Sequence, residues 1–311
     1  MKHTIITPVY NRAHEMYEVY ESIKATRYEA GLEWIIVDDG STDNLTAVLE
    51  SIVTDAKENA SFLHIKCIHK SNGGIHTAVN CAVENATGEY ITRIDSDDRL
   101  LPSAFTEKDR LLDSIEIDQR DKFVGVVGIC LNKKDLTVRG DKFPQDIMDS
   151  TGADILRKYN IKGDRNFCMK TEIMKRFPIP EYFDTKCVPE MISWRRIDRE
   201  YLTRFSNVPM AVCSEPNAES MSGKISRKTP ATCMTNFYGA IYAVNEQRGQ
   251  LSFSRYYGQY YKALLNARLS GICPWRRVVR MTNGIGKKII MVLATIPTYC
   301  VVAIKYRRHK A

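Results

Sequence analysis

Four short runs of β-branched and aromatic residues, each breaking into a polar cluster, recur within the first hundred residues, and this repetition constrains the fold more than any other feature. Thr4–Thr7 runs into Pro8, Val9, Tyr10 and Asn11, and Trp34–Val37 into Asp38, Asp39, Gly40 and Ser41. Phe62–Ile68 runs into Lys70 and the turn Asn72-Gly73-Gly74, and Tyr90–Ile94 into Asp95, Ser96, Asp97 and Asp98. The intervening segments carry apolar residues at helical spacing: Met16, Val19, Tyr20 and Ile23; Leu45, Val48, Leu49, Ile52 and Val53; Ile75, Ala78, Val79, Ala82 and Val83. Strand and helix periods alternate, which predicts a doubly wound, mostly parallel α/β sheet with right-handed crossovers.

In such a sheet ligands bind beyond the carboxyl ends of the strands, where the strand order switches. All four polar clusters fall at carboxyl ends, so the topology brings them to one edge. None has the Gly-x-Gly-x-x-Gly or Walker pattern of a dinucleotide or P-loop site. Taken singly, the run Asp38–Asp43 reads equally as a turn with a helix cap, and Asn72-Gly73-Gly74 as a plain turn. Asp95-Ser96-Asp97-Asp98 is different: three carboxylates in four residues repel one another unless a cation is present, and hard oxygen ligands suit Mg²⁺ or Mn²⁺.

Composition narrows the function classes. With 311 residues, 44% hydrophobic and 26% charged, the chain can bury a sizeable core, which excludes a disordered, collagenous or polytopic membrane protein. The formal net charge of +8 is unevenly spread, since residues 247–311 carry thirteen Lys and Arg and no Asp or Glu, leaving residues 1–246 at −5. A localised basic segment points to one anionic partner and away from general nucleic-acid binding. Nine cysteines, an odd number without a C-x-x-C pair and without a secretory leader before Thr4, are expected as free, mostly buried thiols in a reducing compartment. The six histidines show no ligand spacing and are expected to be incidental.

The ordered set "TPVYNR" (7–12), "IIVDDGSTD" (35–43), "NGGIHTAVN" (72–80), "ATGEYITRIDSDD" (86–98) and "VPEMISW" (188–194) resembles family 2 glycosyltransferases of the GT-A fold, of the kind that build bacterial surface polysaccharides. The resemblance covers roughly residues 1–205, divided into a nucleotide-sugar half of about 1–100 and an acceptor half of about 101–205. It implies an inverting, metal-dependent transfer of a hexosyl or hexosaminyl group from a nucleotide-sugar donor, most often a UDP-sugar, to an acceptor hydroxyl. By position, Pro8, Val9 and Tyr10 would line the base pocket, Asp39 or Asp38 would bind uracil or ribose, and Asn72 and Asn80 would frame the nucleotide site with Lys70 in reach. Asp95 and Asp97 match the D-x-D positions; Asp97 is the preferred ligand of Mn²⁺ or Mg²⁺, and Asp95 serves the ribose side or shares the metal.

An inverting displacement also needs a carboxylate to take the acceptor's proton. Glu190 is the candidate, in the first turn of a helix opened by Pro189 and striped by Trp194, Ile197 and Tyr201. This chain has Pro189-Glu190 where much of the family has a Glu-Asp pair, and Asp184 and Asp164 stand in reserve. "KGDRN" at 162–166 resembles a segment of a subset of these enzymes, in which Asp164 and Arg165 would contact donor phosphate or acceptor.

Beyond the match, residues 206–270 are expected to form a loop, from Asn207 to Lys228, that could close over the donor, and then an aromatic-rich helical extension. Its tyrosines serve either helix packing or stacking on sugars and headgroups. Residues 271–311 form a basic tail with an uncharged stretch at 289–304, too short to span a bilayer and read as an interfacial anchor or a packed helix. The expectation is a cytoplasmic enzyme peripheral on the inner face of the cell membrane, with a lipid-linked glycan acceptor. Two alternatives stand beside it: a non-catalytic nucleotide-sugar-binding scaffold on the same fold, and a nucleotidyltransferase, which would want a Gly-rich basic loop that "TPVYNR" lacks.

Overall fold

The computed structural model describes residues 2–182, 184–215, 229–249, 251–271 and 273–307. The chain divides into two compact units, Met1–Ile179 with Ser193–Glu215, and Pro180–Ile192 with Pro216–Ala311.

The first unit is a mixed α/β sheet. Strands β1 (His3–Val9), β2 (Leu32–Asp38), β3 (Leu63–His69) and β4 (Tyr90–Arg93) are parallel in the order β3-β2-β1-β4, connected by helices α1 (Met16–Lys24), α2 (Leu45–Asn59) and α3 (Ile75–Asn85). Every residue of β1 and β2 is buried, as expected of central parallel strands covered on both faces. The expected helix faces are observed except at two edge positions: Met16, Val19, Tyr20 and Ile23 on α1, Leu45, Val48, Leu49 and Ile52 on α2, and Ala78, Val79, Ala82 and Val83 on α3 are buried, whereas Val53 and Ile75 are half-buried. Trp34 lies at the centre, with Tyr20 stacked parallel at 6.4 Å and its indole N–H donated to Thr7 Oγ1 at 2.9 Å. Because the chain runs from β1 outward through β2 and β3 and then returns to place β4 on the other side of β1, the strand order switches between β1 and β4.

The remaining elements complete the sheet. They are β5 (Arg99–Leu100), α4 (Ala104–Asp113), β6 (Phe123–Asn132), β7 (Ile147–Ser150), α5 (Gly152–Arg157), β8 (Arg165–Lys170), α6 (Thr171–Arg176), α7 (Met191–Ile197) and β9 (Leu202–Cys213). β8 joins β4 antiparallel, and the sheet continues through β6 and β9 to β5, with β7 also on β9. Two sequence expectations change here. The loop expected from Asn207 begins as strand, since β9 runs through Ser206, Asn207 and Pro209 to Cys213; Pro209 opposes Ile129 at a register shift, where a residue without an N–H is tolerated. The part of that loop at 216–228, and with it the closing role, lies outside the described residues. The helix expected to reach Tyr201 ends at Ile197, and the Tyr201 amide closes a final turn onto the Ile197 carbonyl at 3.0 Å.

The second unit is helical: α8 (Pro230–Glu246), α9 (Phe253–Ser270), α10 (Trp275–Met281) and α11 (Ile285–Arg307). Thr229 caps α8 with a reciprocal capping box, its hydroxyl accepting from the Thr232 amide. Phe237, Tyr238, Val244, Tyr256, Tyr260, Leu264 and Val278 form its core, so the tyrosines at 238, 256 and 260 pack within it, and Tyr242 is buried as well. Met291 packs into the helical core with Ile290 and Ala294 alongside, whereas Ile285, Ile289, Val292, Leu293 and Ile296 form an exposed apolar stripe. No described helix is long and apolar enough to cross a membrane.

Candidate functional site

The loops after β1, β2 and β3 are stitched into one rim. Asn11 takes a left-handed conformation that Asn tolerates, at φ +53°; its amide donates to Ser41 Oγ at 3.0 Å, and its side-chain oxygen accepts the Thr42 amide at 2.7 Å. Asp38, at the end of β2, accepts the Ser41 amide at 2.7 Å and faces His69 Nδ1 at 2.7 Å. Burial alone would push the Asp38 carboxyl up, but the Ser41 and His69 hydrogen bonds outweigh it and hold it below the usual range. His69 is therefore part of the rim. His3, away from the rim, is fully buried with Nε2 2.8 Å from Asp109.

Asp39 is the hub. Its buried carboxylate accepts from Lys70 Nζ at 2.7 Å and from the Gly73 and Gly74 amides at 2.9 and 2.8 Å. Lys70 also donates to the Ser71 carbonyl and to Thr77 Oγ1, both at 2.8 Å, so its three N–H donors are all engaged. Gly40, at φ +77°, makes the approach possible, because a Cβ there would lie 2.8 Å from the Asn72 amide nitrogen. Pro8 and Val9 are buried, while Tyr10 stands 49% exposed just beyond β1. Asn72 lies in the same turn. Asn80 on α3 instead holds both backbone groups of Ile179, at 2.7 and 3.0 Å.

On the other side of the switch is the acidic loop after β4. Arg93 forks onto Asp95, at 2.6 Å from Nε and 3.1 Å from Nη2. Ser214, just past β9, donates its hydroxyl to the Asp97 carbonyl at 2.5 Å and its amide to Asp98 at 3.0 Å. No described group hydrogen-bonds to the Asp97 carboxylate, which is half-buried. The Asp98 carboxyl is pushed up to about 7, first by burial and then by the negative charges of Asp95 and Asp97. Among the described residues no three His, Cys, Asp or Glu side chains gather to hold a metal by themselves. The repulsion among the carboxylates is nonetheless what a cation would relieve, and the free Asp97 carboxylate suits a metal that takes its other oxygens from a ligand.

Beneath this loop the fully buried Lys108 donates to Asn166 Oδ1 at 2.7 Å, and Asn166 donates to the Arg93 carbonyl at 3.1 Å. Burial pushes the Lys108 ammonium down to about 8. Sequence reasoning missed Arg93, Asp98, Lys108, Asn166 and Ser214 as supports; only Asp98 carried a signal, as the fourth residue of the acidic cluster.

The remaining candidates come from the rest of the chain. Arg165 donates to the Asp141 and Lys162 carbonyls at 2.6 and 3.2 Å, and Asp164 pairs with Arg139, so this pair braces its own loops. Glu190 precedes α7 and belongs to the second unit, as does Asp184, which is held by Tyr238 and Arg277.

The profile of the family described as "Glycosyl transferase family 2" matches residues 4–182. Among curated relatives, the uncharacterized glycosyltransferase YibD of Escherichia coli K12 is 34% identical over 104 residues, 33% of this chain and 28% of that protein. The matches to the first such relatives span about a third or less of their length. Among solved structures, S. aureus TarS 1–349 in complex with UDP-GlcNAc aligns with a TM-score of 0.63 at 17% identity, over 99% of this chain and 92% of TarS 1–349. The Pyrobaculum calidifontis mannosyltransferase PcManGT in complex with GDP-Man and Mn²⁺ aligns with a TM-score of 0.52 at 18% identity, over 99% and 82% of the respective chains.

Proposed function

This chain belongs to glycosyl transferase family 2, a glycosyltransferase on a GT-A-type sheet, and from that premise we propose that it moves a sugar from a UDP-sugar to an acceptor hydroxyl with inversion. The observation that carries the donor site is the Asp39 hub, which fixes the loops after β2 and β3 at the carboxyl edge beside the strand switch. A carboxylate offers about four acceptor positions and three are used here, so Asp39 keeps one for a nucleobase or ribose donor. Lys70 acts by holding Asp39, and the exposed ring of Tyr10 offers a face for the base.

Asp97, with Asp95 beside it, would hold Mn²⁺ or Mg²⁺, which when bound neutralises the charge that grows on a departing diphosphate. Glu190 is the residue that the motif match supplies to take the acceptor's proton. That the TarS and PcManGT structures hold UDP-GlcNAc and GDP-Man supports a nucleotide-sugar donor.

The acceptor in this reading is a lipid-linked glycan in surface polysaccharide synthesis, and the enzyme works peripherally on the inner membrane face. The support is the stripe of α11, from Ile285 to Ile296, together with the thirteen cations and no anions of residues 247–311. The test is a donor panel with purified protein, following nucleoside diphosphate release with and without a lipid-linked acceptor. Release from one UDP-sugar, stimulated by acceptor, is expected; no release from any donor with any acceptor would overturn the reading.

A further inference from the structure

We propose that Asp184, Tyr238 and Arg277 form a clamp that positions Glu190, so that the C-terminal helices set the turnover of the enzyme; this rests on the reading of Glu190 as the base. The segment Pro180–Ile192 belongs to the helical unit, although it lies between strands of the sheet in sequence. Within that unit the three side chains close a triangle. Asp184 accepts from the Tyr238 hydroxyl through Oδ1 and from Arg277 Nη1 through Oδ2, each at 2.5 Å, and Arg277 Nη2 donates to the Tyr238 hydroxyl oxygen at 2.7 Å.

The clamp extends along both elements. Tyr182 lies flat on Tyr238 with ring centroids 3.7 Å apart. One turn earlier on α8, Thr235 donates to the Cys187 carbonyl at 2.7 Å and lies 3.2 Å from the buried Thr185 hydroxyl. Thr235 and Tyr238 share a helix face at i,i+3 spacing, and Pro189 passes over Gly239. The chain is thus fastened at 182, 184, 185 and 187, immediately before Glu190. Arg277 comes from 93 residues further along, on α10.

Both Asp184 oxygens are committed to charge-assisted or neutral donors, which suits a fixed point rather than a proton acceptor. Misplacing a catalytic group by about 1 Å can cost about 10²-fold in rate, so a loosened clamp should appear in kcat. Donor affinity should be spared, because the rim around Asp39 is built without these residues.

The test uses the full chain and the UDP-sugar that wild type turns over fastest. Arg277→Met should lower kcat about 10- to 100-fold, leave UDP affinity within about twofold, and raise hydrogen exchange at 184–192 but not in β1 or β2. Arg277→Lys, which keeps one charge-assisted bond, should recover part of the loss, and Tyr238→Phe, which keeps the stack on Tyr182, gives the same readout if Arg277→Met fails to fold. In a Glu190→Gln background, Arg277→Met should cause no further fall, because groups acting through one residue are not additive. Wild-type kcat despite a loosened segment, or a full further fall in the Glu190→Gln background, would overturn the clamp. Full turnover in Glu190→Gln alone would remove the premise instead, a result distinct from either.

Discussion

The ammonium of Lys70 lies 2.7 Å from the carboxylate of Asp39, and it is Asp39, nearly completely buried, that also receives the Gly73 and Gly74 amides. One side chain thereby ties the turn after β3 to the end of β2. Asp39→Ala leaves two amides and an ammonium without their acceptor, and breaking a buried pair of this kind costs on the order of 3 kcal/mol. Urea unfolding should show that loss together with weakened UDP binding. Lys70→Met should weaken UDP binding less than Asp39→Ala, since the amides still hold Asp39; an equal or larger loss would mean that Lys70 touches the nucleotide itself.

Glu190→Gln keeps the shape of the side chain and removes its basicity. Removal of a general base typically lowers rate by about 10²–10⁴-fold, so kcat should fall in that range with UDP affinity unchanged. Because Asp184 is held by Tyr238 and Arg277, it should not substitute. Full activity in Glu190→Gln together with an inactive Asp184→Asn would reverse the assignment.

His3 gives a pH signature independent of catalysis. Burial pushes its imidazole down, but Cys168 and the Asp109 carboxylate beside it outweigh burial and hold it above its usual value of 6.5. A group whose pKa is raised on folding stabilises fully below its unfolded value and loses that contribution as pH rises through its folded value. Urea midpoints should therefore decline from about pH 6.5 upward, and His3→Gln should flatten the decline while lowering stability at pH 6. An unchanged pH profile in His3→Gln would show that this pair does not titrate in that window.

The four parallel strands were legible because each is a short apolar run ended by a turn, and the three helix faces because their period is 3.6. The hub of the site was legible only as residue types. That Asp39 receives Gly73 and Gly74, and Asp38 receives His69, depends on contacts more than thirty residues apart. β9 was hidden because Ser206, Asn207 and Pro209 have loop chemistry; the strand tolerates the proline only at the register shift opposite Ile129. Lys108 reads as a solvated helix charge in "TEKDR", and nothing local marks it as the buried donor to Asn166. The tie of Asp184 to Arg277 was equally invisible, since their separation in sequence carries no period.

The exposed stripe of α11 can be altered without touching its packed face. Ile289→Ser, Leu293→Ser and Ile296→Ser together should abolish cosedimentation with vesicles containing anionic lipid and leave the thermal midpoint within a few degrees, since Met291 and Ala294 keep the helix docked. Binding by wild type should weaken with salt, at about 1 kcal/mol per basic residue near the surface. Equal sedimentation of wild type and triple variant would leave the stripe without a membrane role.

Calorimetric titration of UDP decides whether the rim around Asp39 and the acidic loop after β4 form a cation-assisted nucleotide-sugar site. The titrations compare wild type and Asp97→Asn, each with Mn²⁺ and with excess chelator. Tight binding is expected only for wild type with Mn²⁺, and weak binding in the other three conditions. Equal affinity in all four would contradict a cation-assisted site.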